Sequence, residues 1–155
     1  MRSKRRTDGA DVLRLWHADP SVRTSGADNV DGMATDLGQT TTAAIDRLID
    51  AINAHDLDAL TACFAPGYSV TWPAHPARSF TGRENVRRTW TAIFEAHPTV
   101  TASATPRVCN GDEVWAEWEF KSQGSQPFWQ RGVIIAVVHG DVIGSARFYM
   151  EPVTD

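Results

Sequence analysis

The sequence predicts an α+β fold, and two observations carry that expectation. The helix-patterned segments come first, and from residue 99 onward the hydrophobic period switches from 3.6 to 2 and stays there. Helices segregated from a consecutive run of strands give an antiparallel meander, not a doubly wound parallel sheet. The chain has 155 residues, 42% apolar and 22% charged, with 15 Lys+Arg against 19 Asp+Glu. This is the size of one ordinary domain, able to remove roughly 68–70% of its unfolded surface from water. Cys63 and Cys109 are therefore not needed as a staple and are expected free, in a reducing compartment.

Residues 1–40 form an expected flexible N-terminal extension ahead of a domain over 41–155. The segment is rich in Asp, Gly, Ser and Thr, and its apolar patch of Val12, Leu13, Leu15 and Trp16 is too small to order it. Met33 is the expected alternative start, with residues 1–32 an added stretch that a mass spectrum of the natively expressed protein would test. The basic cluster Arg2, Lys4, Arg5 and Arg6 is not followed by the apolar stretch of a secretory signal, and such short charge runs are usually solvated. Net charge is −4, which argues against nucleic acid, because phosphate binding needs clustered positive charge. The longest strongly apolar run, 133–138, is strand-sized, far below the ~18 residues of a membrane span. The expected location is the cytoplasm, with no membrane partner.

Ile45, Leu48, Ile49 and Ile52 recur at i, i+3, i+4 and i+7, which predicts a helix over 42–54 with one apolar stripe. His55-Asp56 breaks it, and Leu57, Leu60, Cys63 and Phe64 predict a second short helix stopped by Pro66-Gly67. Residues 68–72 read as a strand, and Pro73, Pro76 and Ala77 as the turn after it. Thr81 and Glu84 have the spacing of a capping box that opens a third helix running to about residue 96. Its inner face carries Val86, Trp90, Ile93 and Phe94, with Arg87 and Arg88 toward water and Pro98 as the stop. Strands are then expected at 99–109, 113–122, 128–139 and 142–152. Asn110-Gly111 signals the first hairpin and His139-Gly140-Asp141 a second tight turn.

Three segments in this order resemble the nuclear transport factor 2-like superfamily: residues 47–60 (RLIDAINAHDLDAL) with Phe64-Ala65, residues 80–86 (FTGRENV), and Gly140-Asp141-Val142-Ile143 followed by Arg147-Phe148-Tyr149. The resemblance spans roughly residues 42–153 and is greatest to the SnoaL-like, polyketide-cyclase-like branch. It implies a cone: a bent antiparallel sheet around three helices with a pocket at the wide end, commonly dimerised sheet to sheet. Function does not follow from such a fold alone.

The ketosteroid isomerase branch of the superfamily uses an Asp base with Tyr and protonated Asp as oxyanion donors. The resemblance places the Tyr at Leu48, the Asp base at Trp72 and the second Asp at about Ile134, where no proton-moving side chain stands; that mechanism is excluded and an apolar lining is left. The epoxide hydrolase branch fits in part. Its final-strand Arg-x-Tyr-x-Asp is matched by Arg147-Phe148-Tyr149-Met150-Glu151, and its middle-strand Arg-x-Asp by Glu117-Trp118-Glu119. Arg147 lying between Glu119 and Glu151 would hold one carboxylate ionised while burial keeps the other protonated.

A plainer reading stands beside it. Glu113, Glu117, Glu119 and Lys121 alternate with Val114, Ala116, Trp118 and Phe120, as on a strand with one wet face. His75, in the turn at the expected pocket mouth, is a candidate proton carrier. His55, His97 and His139 fall at helix ends or a turn, where exposure is expected, and no histidine pair has metal-ligand spacing. Indole rings suit a flat hydrophobic ligand, so Trp72, Trp90 and Tyr149 are expected to touch it along with Leu48 and Ile134. The near-continuous apolar run over 128–138 predicts a strand covered on both faces, the second cover being another subunit. The expectation is thus a pocket protein for a small hydrophobic molecule, in one of two forms. One is a cofactor-independent cyclase, hydrolase or dehydratase using Glu119, Arg147, Glu151 and His75. The other is a non-catalytic binding or dimerisation module. Scaffolding through the sheet is a third possibility.

Overall fold

The computed structural model describes residues 36–154. Of the expected extension, residues 1–35, with Met33, lie outside the described residues. Residues 36–40 already belong to the first helix, α1 (Asp36–Asn53), which starts six residues before the apolar stripe predicts. Tertiary contacts account for the added turn: Thr41 is fully buried, its Oγ donates to the Gly111 carbonyl at 3.1 Å, and the Thr42 hydroxyl lies 3.3 Å from Cys109 Sγ. Ile45, Leu48 and Ile52 are buried along the stripe. His55, at φ 53°, ends the helix in the left-handed region.

The second helix, α2 (Leu57–Ala62), is capped by Asp56, whose carboxylate accepts from the Ala59 N–H at 3.0 Å. It passes directly into strand β1 (Phe64–Thr71). Pro66-Gly67 therefore lies inside a strand and marks the register irregularity between Phe64 and Ser69; it does not stop a helix. After a 3-10 turn (Pro76–Arg78) come the short strand β2 (Phe80–Thr81) and helix α3 (Arg83–Ala96). The expected capping box is not formed. Thr81 is held in β2, paired with Ser69, the cap position falls to Gly82 at φ 99°, and Asn85 Nδ2 bonds the Thr81 carbonyl at 2.7 Å.

Four strands follow: β3 (Thr101–Asn110), β4 (Glu113–Ser122), β5 (Phe128–His139) and β6 (Val142–Pro152). They form the antiparallel meander that the period-2 pattern predicts. Gly111 and Gly140, both at φ 64°, open the two-residue hairpin loops, so the first turn sits one residue beyond the Asn110-Gly111 position. The sheet order is β2-β1-β6-β5-β4-β3, and β1 joins β6 in parallel, which makes the six-stranded sheet mixed. Register shifts in β1, in β3 and between β5 and β6 bend it. The three helices fill its concave side.

The sheet's inner face is built from Val114, Ala116, Trp118 and Phe120 of β4, Ile134 and Ala136 of β5, and Ala146 and Met150 of β6, all buried. His97, expected at the surface, is 2% exposed and stacks on Phe128 at 4.7 Å between ring centroids. The end of α3 is covered by the start of β5, a long-range contact that position at a helix end does not reveal. Both cysteines are free, Cys63 buried and Cys109 half-buried. Among the described residues no helix is long and apolar enough to cross a membrane.

Candidate functional site

Between the helices and the inner face of the sheet lies a cavity of about 200 Å³. Its apolar wall follows from residues that share faces. Ile45, Leu48 and Ile52 come from the α1 stripe, Val86 and Trp90 from α3, and Tyr68, Val70 and Trp72 recur every second residue from β1 onward. The opposite wall is Trp118, Phe120, Ile134 and Phe148. Aromatic rings pack edge to face or tilted around it: Trp72 with Phe148 at 5.1 Å, Trp90 with Phe120 at 5.8 Å, and Phe64 with Tyr68 at 4.6 Å.

Further polar side chains belong to the lining. They are Arg78, from the turn after β1, and Asn85, Arg88 and Thr89 on α3. Arg78 is buried, and its guanidinium carbon lies 5.1 Å from the Trp72 ring centroid. Burial weakens its hold on its proton, and the nearby Glu151 charge partly restores it. Arg88 Nη1 donates to Asn85 Oδ1 at 2.6 Å. Burial alone pushes the Tyr68 phenol well above its ordinary range, so it stays neutral at any physiological pH.

Leu48, Trp72, Trp90 and Ile134 therefore line the cavity. Tyr149 does not: it is 44% exposed on the convex face, because residues 147, 149 and 151 of β6 point away from the helices while Ala146 and Met150 point toward them. The acid/base candidates share that outer parity. Glu119, Arg131 and Glu151 lie in one row across β4, β5 and β6. The arginine between the two glutamates is thus Arg131, not Arg147. Arg131 Nε is 3.5 Å from Glu119 Oε2, which also accepts from the Trp129 indole at 2.8 Å. Arg147 sits two rows away, opposite Ile135, with Nη2 3.9 Å from Glu113. The structure does bring His75 and Glu151 together, Nε2 to Oε1 at 2.7 Å. This pair is one ring removed from the cavity, His75 lying 6.4 Å from Trp72 between centroids.

Sequence reasoning missed Arg78 and Tyr68. Extending the period-2 pattern back from Trp72 through Val70 reaches Tyr68. Nothing local distinguishes Arg78 from a solvated arginine in a proline-rich turn.

A curved, unclosed six-stranded sheet packed against three helices is the nuclear transport factor 2-like fold. The chain belongs to the SnoaL-like domain family, which residues 45–143 match. No curated protein is similar to it in sequence. Solved structures are similar in fold. IdmH, a proposed polyketide cyclase from Streptomyces antibioticus, is 20% identical with a TM-score of 0.62, over 72% of this chain and 91% of that one. A nuclear transport factor 2-like protein from Anabaena variabilis is 17% identical with a TM-score of 0.63, over 80% and 97%. RV0760c from Mycobacterium tuberculosis is 18% identical with a TM-score of 0.61, over 71% and 93%.

Proposed function

We propose that the protein binds one small, largely apolar molecule in this cavity and releases it unchanged, as a homodimer in the cytoplasm. The observation that supports this reading is the chemistry of the wall. Among the described residues that line it, the ionisable groups are Tyr68, Arg78 and Arg88. General acid–base catalysis works best with a group whose pKa lies near the operating pH. Arginine stays protonated, and burial raises the Tyr68 pKa further above neutral pH. Size limits the ligand as well: about 200 Å³ falls below the ~300–1,000 Å³ of typical drug-sized sites, favouring one or two fused rings over a steroid. Polyketide-like phenols come first for trial, given the assignment carried by IdmH.

Tryptophan fluorescence titration with phenols, terpene epoxides and steroids tests the reading, with mass spectrometry of the recovered ligand. Saturable binding of the smaller molecules with quantitative recovery is expected. Saturable product formation defeats the non-catalytic form, and no binding across the panel defeats the cavity itself. One observation favours a second, catalytic reading of cyclase, hydrolase or dehydratase type: the His75–Glu151 contact beside Trp72. On that reading turnover exists and both His75→Gln and Glu151→Gln abolish it.

A further inference from the structure

We propose that Arg78 anchors an anionic headgroup, so that the molecule held in the cavity is a small aromatic or alicyclic carboxylate with its rings among the indoles. This deepens the binding role proposed above and rests on it. Arg78 is 8% exposed, and its Nη1 is shut off from solvent without a hydrogen-bond partner. A guanidinium has five N–H donors in a fixed fork, and leaving a buried charged donor unmatched is costly. An occupant that accepts from it removes that cost.

Hydrogen bonds fix the backbone of the turn that carries Arg78. The Trp72 carbonyl accepts from the His75 N–H at 3.0 Å, the Trp72 N–H donates to Ser79 Oγ at 3.0 Å, and the Arg78 N–H donates to the His75 carbonyl at 2.9 Å. The guanidinium carbon lies 5.1 Å from the Trp72 ring centroid, and both residues line the cavity. The charge balance there is one-sided: the lining contributes two arginines and, among the described residues, no carboxylate. Glu151 acts on Arg78 through its field, but its Oε1 is bonded to His75. A planar carboxylate matches the guanidinium fork bidentately, and a single such group leaves the small cavity free for an apolar body.

The test is isothermal calorimetry of the full chain with a matched pair, 2-naphthoate and 2-naphthamide, at pH 7 and low salt. Naphthoate is expected to bind about tenfold or more tightly than the amide, a difference of about 1.4 kcal/mol per decade. In Arg78→Met the preference should vanish while amide affinity changes less than about threefold. Should that variant lose its circular dichroism spectrum, Arg78→Gln replaces it with the same expectation. Equal binding of both compounds to the unaltered protein, or a preference that survives the loss of the arginine, overturns the anchor and leaves cavity binding standing. Binding of neither compound overturns the anchor, and cavity binding falls with it only where the phenol, epoxide and steroid panel fails to bind as well.

Discussion

Gly132 shows how tightly single residues are fitted to the sheet. It lies in register between Trp118 of β4 and Met150 of β6. A Cβ built there would collide with the Tyr149 carbonyl oxygen and come within 2.8 Å of the Met150 Cα. These are backbone atoms of a paired strand and cannot swing aside, so Gly132→Ala is expected to cost about 2 kcal/mol. Urea unfolding at pH 7 reads this directly, and a loss below about 0.5 kcal/mol would show that β5 and β6 can separate freely. Tyr68 gives a pH dependence. Its phenol is 2% exposed and its pKa is raised by burial, whereas an unfolded tyrosine ionises near pH 10. Above that pH the unfolded state releases a proton that the folded state retains, so stability falls as pH rises. The Cys63 thiol, also raised chiefly by burial with Arg47 opposing, acts with the same sign. Melting temperatures from pH 7 to 11 should therefore decline at the alkaline end, less steeply in Tyr68→Phe; parallel curves would remove Tyr68 from the account.

At the scale of elements, a side-chain amide is one of the contacts that fasten α1 to the edge strand β3, beside Thr42 on Cys109 and Asp46 on Arg107. Asn53 Nδ2 donates to the Ala102 carbonyl at 3.0 Å, and its Oδ1 accepts from the Ala102 N–H at 2.8 Å. Each such bond contributes about 1 kcal/mol net, so Asn53→Ala should lower stability by about 1–2 kcal/mol and accelerate hydrogen exchange at the Ala102 amide. Unchanged exchange there would mean that other contacts hold the strand. This clamp is invisible in the sequence, where Asn53 reads as a helix end. The helical stripes and the β4, β5 and β6 boundaries were legible, because periods of 3.6 and 2 are written along the chain. Alternation also showed that Glu113, Glu117 and Glu119 occupy a wet face. Pairing across strands was not legible. Register places Arg131 rather than Arg147 between Glu119 and Glu151, and no local pattern encodes it. Arg78 was missed for the same reason: its burial depends on Trp72 and the cavity behind it, not on its neighbours in the turn.

On the scale of the whole molecule, the convex face of the sheet is the feature the single chain leaves unfinished. Val108, Trp115 and Tyr149 are 55%, 47% and 44% exposed. Val108, Trp115, Ile135 and Arg147 share one row, and Glu117, Val133 and Tyr149 share the next. The Trp115 indole donates to Glu113 Oε1 at 2.7 Å, so this exposed ring is already held and loses little freedom on association. Charges of both signs, Glu113, Glu117 and Arg147, surround the apolar side chains. Such a patch can meet its own copy across a two-fold axis with opposite charges facing. Sedimentation equilibrium is expected to show a dimer, and Trp115→Glu, which removes nothing from the core, should yield a folded monomer. A monomer of the unaltered chain at high concentration would refute self-association through the sheet. Growth beyond two copies would instead give the convex face a scaffolding role, because an isologous contact closes at the dimer.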